Sequence, residues 1–146
     1  MEKGKIKKIK IFVEKNFPPQ IVQKADCVVD CGLKGDRFAK GGEKQLTAID
    51  SQSLEWMEAQ TEKGLCFDRY KANLEVENMD LSALKSGEKL VCGTSQLEIS
   101  HTGKECFEEC VLVQGKKPCM LRSHAKYLKV TESGTIKVND DLCKKQ

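Results

Sequence analysis

Hydrophobic positions in this chain recur in short bursts between polar residues, and they rarely keep the spacing of a long helix. Residues 5–13 alternate from Ile9 to Val13 and are rich in β-branched side chains, which predicts a first strand ended by Pro18-Pro19. Residues 25–29 and 45–49 predict two more short strands. Asp50 then stands as an N-cap, with Ile49 and Leu54 at the positions of a hydrophobic staple and Met57 on the same face as Leu54. The helix it opens is expected to reach Lys63 and stop at Gly64, a residue suited to the left-handed position after a helix. Residues 67–73 read as a short extended piece. Asp80 is placed to cap a turn through Leu81 and Leu84 that Gly87 ends. Residues 89–92 and 96–99 flank Gly93-Thr94-Ser95, the pattern of a hairpin with a three-residue turn. Residues 104–111 have helical spacing, Lys116-Lys117-Pro118 interrupts it, and a last helix is predicted over 120–130. Gly134 leads into a strand at 135–138, and Asn139-Asp140-Asp141 turns the chain before Leu142.

These parts amount to six to eight short strands and two or three helices. They lack the strand–helix alternation of a parallel doubly wound sheet. The expected fold is mainly β with peripheral helices, a twisted barrel or folded antiparallel sheet. A chain of 146 residues fits one domain spanning 1–146. No apolar run is long enough for a transmembrane span, and the basic start has no apolar stretch behind it, so a cytoplasmic protein without a signal peptide is expected. The net charge of +3 and 5% aromatic content give no basic, aromatic-interleaved stripe, so nucleic acid is not an expected partner, and neither is a membrane.

Eight cysteines change the picture. Disulfide frameworks belong mainly to small secreted chains, so the expectation here is free thiols. Cys106 and Cys110 are four apart and would share one face of a helix. Gly103 and Lys104 precede them, and a cysteine in a first helical turn beside a cation has a lowered thiolate pKa. Such a thiolate is both a nucleophile and a soft metal ligand, whereas the plain alternative is a small apolar filler. With Cys119, His101 and His124 nearby in sequence there are enough donors for a tetrahedral metal site, although not in paired C-x₂-C spacing. Cys27 and Cys31 are also four apart, while Cys66, Cys92 and Cys143 read as structural.

The glycine-rich stretch from Gly32 to Gly42 is the second candidate. Lys34, Arg37 and Lys40, together with exposed backbone N–H groups, offer an anion site for a phosphate or carboxylate. The stretch matches neither G-x-G-x-x-G nor a G-K-[ST] loop, so a plain surface turn, with Asp36 pairing Arg37 or capping the turn, is the competing reading.

Several stretches together resemble a small stand-alone MOSC domain, the module also found at the C-terminus of molybdenum cofactor sulfurases. They are Gly32-Leu33-Lys34-Gly35-Asp36-Arg37, Gln45-Leu46-Thr47-Ala48-Ile49-Asp50-Ser51, Asn73-Leu74, Leu81-Ser82-Ala83-Leu84-Lys85-Ser86-Gly87, Gly103-Lys104-Glu105-Cys106 with Cys110 and Cys119, and Gly134 through Asp140. The resemblance implies a MOSC-type β-barrel-like fold with outer helices. It also implies binding of a molybdenum–pterin cofactor, or handling of sulfur destined for one. The family's cysteine falls on Cys106, as molybdenum ligand or persulfide carrier, with Cys110 and Cys119 as its companions at the reacting centre. Lys34, Arg37 and Lys44 are the residues expected to contact the cofactor's phosphate or pterin. Asp36 is expected to order the loop, and Asn73 and His101 to supply hydrogen bonds at the rim. The sulfurase's pyridoxal phosphate belongs to a separate domain, so no pyridoxal phosphate is expected here and sulfur would come from a partner of cofactor biosynthesis. The chain departs from the pattern at Phe107, where relatives carry His, at Leu121 in place of Pro, and at Lys44 in place of Arg. Lysine keeps the charge but loses the bidentate fork. The alternative reading is a non-catalytic zinc-binding or redox-responsive module using Cys106, Cys110, Cys119 and His124.

Overall fold

The computed structural model describes residues 3–15, 17–59, 72–102 and 124–145. Among them are eleven strands: β1 (Lys3–Ile11), β2 (Gln20–Val22), β3 (Lys24–Val28), β4 (Gly32–Leu33), β5 (Leu46–Asp50), β6 (Leu74–Glu77), β7 (Lys89–Cys92), β8 (Ser95–Thr102), β9 (Lys126–Glu132), β10 (Gly134–Lys137) and β11 (Asp141–Lys144). One α-helix, α1 (Ser51–Ala59), and one 3₁₀ turn, Leu81–Ala83, accompany them. The main sheet runs β11-β7-β8-β9-β5-β6-β1-β2, and a further β1–β11 pairing closes it into a barrel. A small sheet, β10-β3-β4, stands beside it. The mainly β, barrel-like expectation is met, with more strands than the sequence reading counted.

Two chemical features make the closure possible. β1 uses Lys3, Gly4 and Lys5 to pair β11 and Ile9, Lys10 and Ile11 to pair β2, so one edge of a long strand serves two partners. Against β6, its register shifts between Ile6 and Lys8. Ile6 and Ile9 are three apart and would face opposite ways on a regular strand. The bulge absorbs the extra residue, and both side chains are fully buried. With Leu46, Leu74, Leu90, Leu97, Ile99 and Leu128 they fill the barrel, each side chain worth about 1.5–3 kcal/mol of burial.

β5 and β6 are the parallel pair, with Ala48 opposite Leu74. Parallel neighbours need a crossover, and α1 lies on it. Asp50 caps α1 as expected, its Oδ1 accepting from Ser53 N at 2.9 Å. Ile49 packs with Leu54 and Met57, the pair of contacts that fixes how the helix leaves the sheet. The expected continuation of the helix over 60–63, residues 67–71 of the extended piece expected over 67–73, and the helix over 104–111 lie outside the described residues.

Two expectations are corrected. The helix predicted over 120–130 is strand β9 from Lys126 onward, where Lys126, Leu128 and Val130 are buried in alternation. The sequence reading missed this period of two because one of its inward positions is a lysine. The β7–β8 hairpin turns on two residues, Gly93 and Thr94, because Ser95 already pairs Cys92. Gly93 has φ +56°, and a Cβ there would sit 2.3 Å from Thr135 O, so the turn requires glycine.

Candidate functional site

The loop after β4 is organised around Asp36. Its buried carboxylate accepts from Phe12 N at 2.8 Å, Asn73 Nδ2 at 3.1 Å and Phe38 N at 3.2 Å. Burial pushes its pKa up, and these hydrogen bonds and the Arg37 charge oppose that shift. The Arg37 guanidinium lies over the Phe38 ring, 4.4 Å from its centroid, and Phe38 meets Phe12 edge-on. Lys34 is exposed and lines a cleft of about 280 Å³ with Ile11, Val22 and Lys24. Most of the backbone N–H groups expected to face an anion donate inside the protein. Lys34 N donates to Asp26 O, Asp36 N to Leu33 O, Arg37 N to Phe12 O and Gly41 N to Cys31 O. What the loop presents to an anion is mainly the side-chain charge of Lys34, Arg37 and Lys40.

Asn73 is fully buried. Its Oδ1 accepts from Thr47 N and Thr47 Oγ1, and its Nδ2 donates to Lys10 O and Asp36. Thr47 stands opposite Tyr127 in the β5–β9 ladder, and Tyr127 stands opposite His101 in the β8–β9 ladder. Hydrogen bonds from Asp36 through Asn73 to Thr47, then strand register from Thr47 to Tyr127 to His101, link these five residues in a row. At its far end Lys44 Nζ lies 4.8 Å from the Tyr127 ring centroid, and the His101 ring lies 5.9 Å from it. Lys44 and His101 are both exposed. Two residues singled out from the sequence thus meet on one aromatic ring, Tyr127, that no motif marks. Only Thr102 separates His101 from the segment that carries Cys106, Cys110 and Cys119, which lies outside the described residues.

The same segment ends at His124, where a second cluster sits. His124 Nδ1 is 2.6 Å from Asp50 Oδ2 and 3.4 Å from Asp80 Oδ1. One ligand atom from each of Asp50, Asp80 and His124 falls within 4.8 Å of the others, a set that could hold a metal ion. Asp50 is also the helix cap, and its Oδ2 accepts from Leu81 N at 3.0 Å. Asp80 caps the 3₁₀ turn through Ser82 N and Ser82 Oγ, and the Ser82 hydroxyl is the main cause holding its pKa below the ordinary value. Lys126 is buried beside them. Burial pushes its pKa down, while Asp50, Asp80 and Glu88 push back. Sequence reasoning found Asp50 and Asp80 as caps because capping is local. It placed His124 with the cysteines because it could not see a contact spanning 74 residues.

The described cysteines, Cys27, Cys31, Cys92 and Cys143, are free thiols. Burial pushes Cys92 up to about 12 and raises Cys27, so neither offers a thiolate at neutral pH.

A family model for the MOSC domain matches residues 35–142. Among solved structures, the chain is similar to YiiM from Geobacillus stearothermophilus, with TM-score 0.66 and 15% identity over 98% of this chain and 75% of that one. It is similar to the YUAD protein from Bacillus subtilis, with TM-score 0.67 and 17% identity over 96% of this chain and 94% of that one. YiiM from Escherichia coli matches with TM-score 0.62 and 14% identity, covering all of this chain and 70% of that one. At these identities the likeness establishes the fold. A search of curated proteins found no match. No helix among the described residues is long and apolar enough to cross a membrane.

Proposed function

Because the chain belongs to the MOSC domain family, we propose that it binds the molybdenum–pterin cofactor, or carries sulfur for it as a persulfide on Cys106. The observation that carries this reading is the row from Asp36 to His101. It ties the Arg37 loop to Lys44 and His101 and ends beside the segment holding Cys106. Lys44 and Arg37, with Lys34 on the same loop, supply positive side chains for the cofactor's phosphate. His101 and the Tyr127 ring supply a hydrogen-bonding and stacking edge for a planar heterocycle. Asp36 and Asn73 serve by holding the loop, since the polar atoms of the Asn73 amide are used within the protein. Cys106, with Cys110 and Cys119 as companions, provides the thiolate that either role requires. When bound, the cofactor would supply two-electron chemistry at molybdenum. Whether as oxidoreductase or sulfur carrier, the protein acts in the cytoplasm with proteins of cofactor synthesis or sulfuration as partners.

The zinc module is the weaker reading, because among the described residues His124 is gathered with Asp50 and Asp80 rather than with a cysteine. The test is purification from cells supplied with molybdate and competent in pterin cofactor synthesis. Molybdenum and oxidised pterin per chain are measured, along with the mass of the Cys106 peptide. Bound cofactor or a persulfide, lost in Cys106→Ser, is expected. Finding neither would end the proposal.

A further inference from the structure

We propose that Asp50, Asp80 and His124 form a binding site for a divalent transition-metal ion of the zinc type, entered from the cavity beside helix α1. The site is separate from the Lys44–His101 face, and it stands or falls independently of the cofactor reading.

The donor set is one imidazole nitrogen and two carboxylates, a combination that suits zinc and its neighbours better than magnesium or calcium. Two ligands each about 2.0–2.1 Å from a tetrahedral ion stand ~3.3 Å apart. His124 Nδ1 and Asp80 Oδ1, at 3.4 Å, already have that separation. His124 Nδ1 and Asp50 Oδ2, at 2.6 Å, are at hydrogen-bond distance. An ion replacing the shared proton needs this pair to open by about 0.7 Å. As the ion takes Nδ1, the imidazole proton passes to Nε2, or to solvent from a cationic ring, while Asp50 Oδ2 keeps Leu81 N–H and takes the ion in place of that proton. Asp50 is further held by Ser53 and Asp80 by Ser82, the outer contacts that orient metal ligands.

Access is provided on the Asp80 side. A cavity of about 440 Å³ is lined by Asp80, Met79, Asn78, Glu77, Glu55 and Lys7, among others. Its wall carries three carboxylates against one ammonium, which draws cations inward. Lys126 faces both aspartates and opposes an ion. Two carboxylates still outweigh its single charge.

Because thiols also bind zinc, the experiment uses the chain with Cys106, Cys110 and Cys119 replaced by serine, stripped with a chelator and checked for folding by circular dichroism. Co²⁺ is titrated by visible absorption and Zn²⁺ by calorimetry. One ion per chain, without a thiolate charge-transfer band, is expected. Asp80→Asn and His124→Gln should each weaken binding by about tenfold or more. Asp80→Asn keeps the carbonyl oxygen that Ser82 needs, so its fold is not at risk. Absence of saturable binding, a thiolate band from the remaining cysteines, or unchanged affinity in Asp80→Asn would each overturn the proposal.

Discussion

Asp36 and Asp50 are both buried carboxylates, and each stitches together segments that are distant in the chain. Their partners differ in kind. Asp36 accepts from two backbone N–H groups and a carboxamide, none of which can give up its proton near neutral pH. Asp50 accepts from backbone and hydroxyl donors too, but it also shares an imidazole with Asp80, beside a buried lysine. A carboxylate saturated by amides is fixed architecture. One that shares a titratable donor with a second carboxylate keeps a position at which a proton can be exchanged for another cation. The contrast separates a scaffold for the Lys44–His101 face from a centre able to bind on its own account.

The largest effect is expected at Asp50. Asp50→Ala removes the α1 cap, leaves Leu81 N–H without its acceptor and His124 with Asp80 alone, and strands Lys126 beside one carboxylate fewer. Breaking a buried charged network from one side costs about 3–5 kcal/mol. Urea unfolding of the variant measures it. A loss below about 1 kcal/mol, the size of one ordinary hydrogen bond, would mean that Asp50 is no hub.

Asp36→Asn should cost less and change a different property. The amide cannot accept at both ends, so one donor among Phe12 N, Phe38 N and Asn73 goes unmet, for a net loss of about 1 kcal/mol at neutral pH. The pH dependence is the sharper readout. Burial raises the folded-state pKa of Asp36, so the folded protein holds that proton more tightly than the unfolded chain. Stability contributed by the group is therefore present below the ordinary aspartate value, about 4. It falls as pH climbs to the raised value and stays reduced above it. Asp36→Asn should flatten that part of the profile of urea midpoint against pH. An unchanged slope would assign the titration elsewhere.

The local half of both clusters was legible in the sequence. Asp50 with Ser53, and Asp80 with Ser82, are caps whose partners lie within three residues, and their spacing announces them. The Gly32–Arg37 stretch was legible as a loop, but its internal hydrogen bonds were not, because Phe12 and Asn73 reach it from β1 and the start of β6. Tyr127 was missed, and His124 was assigned to the cysteines rather than to Asp50 and Asp80. A buried Lys126 disguised the alternation of β9, and a strand mistaken for a helix puts its side chains on the wrong faces. Barrel closure was beyond reading too, since Lys3–Lys5 pair with Asp141–Cys143 from the opposite end of the chain.

The smallest effect on stability is expected at Asp80, and it sharpens the contrast most. Its side chain is 48% exposed, unlike that of Asp50 at 1%. Asp80→Asn retains an oxygen for Ser82 N and Ser82 Oγ, so the 3₁₀ turn stays capped. Solvent replaces most of what the lost charge gave to His124 and Lys126. The metal-free variant should unfold within about 0.5 kcal/mol of the parent, as surface substitutions usually do. Its ion affinity should nevertheless fall, because a carboxamide oxygen is a much poorer ligand than a carboxylate. A residue that matters to binding and hardly at all to folding is what a site requires. If Asp80→Asn instead destabilised the metal-free chain as Asp50→Ala does, the two aspartates would be one structural unit, and the cluster would belong with Asp36 as scaffold.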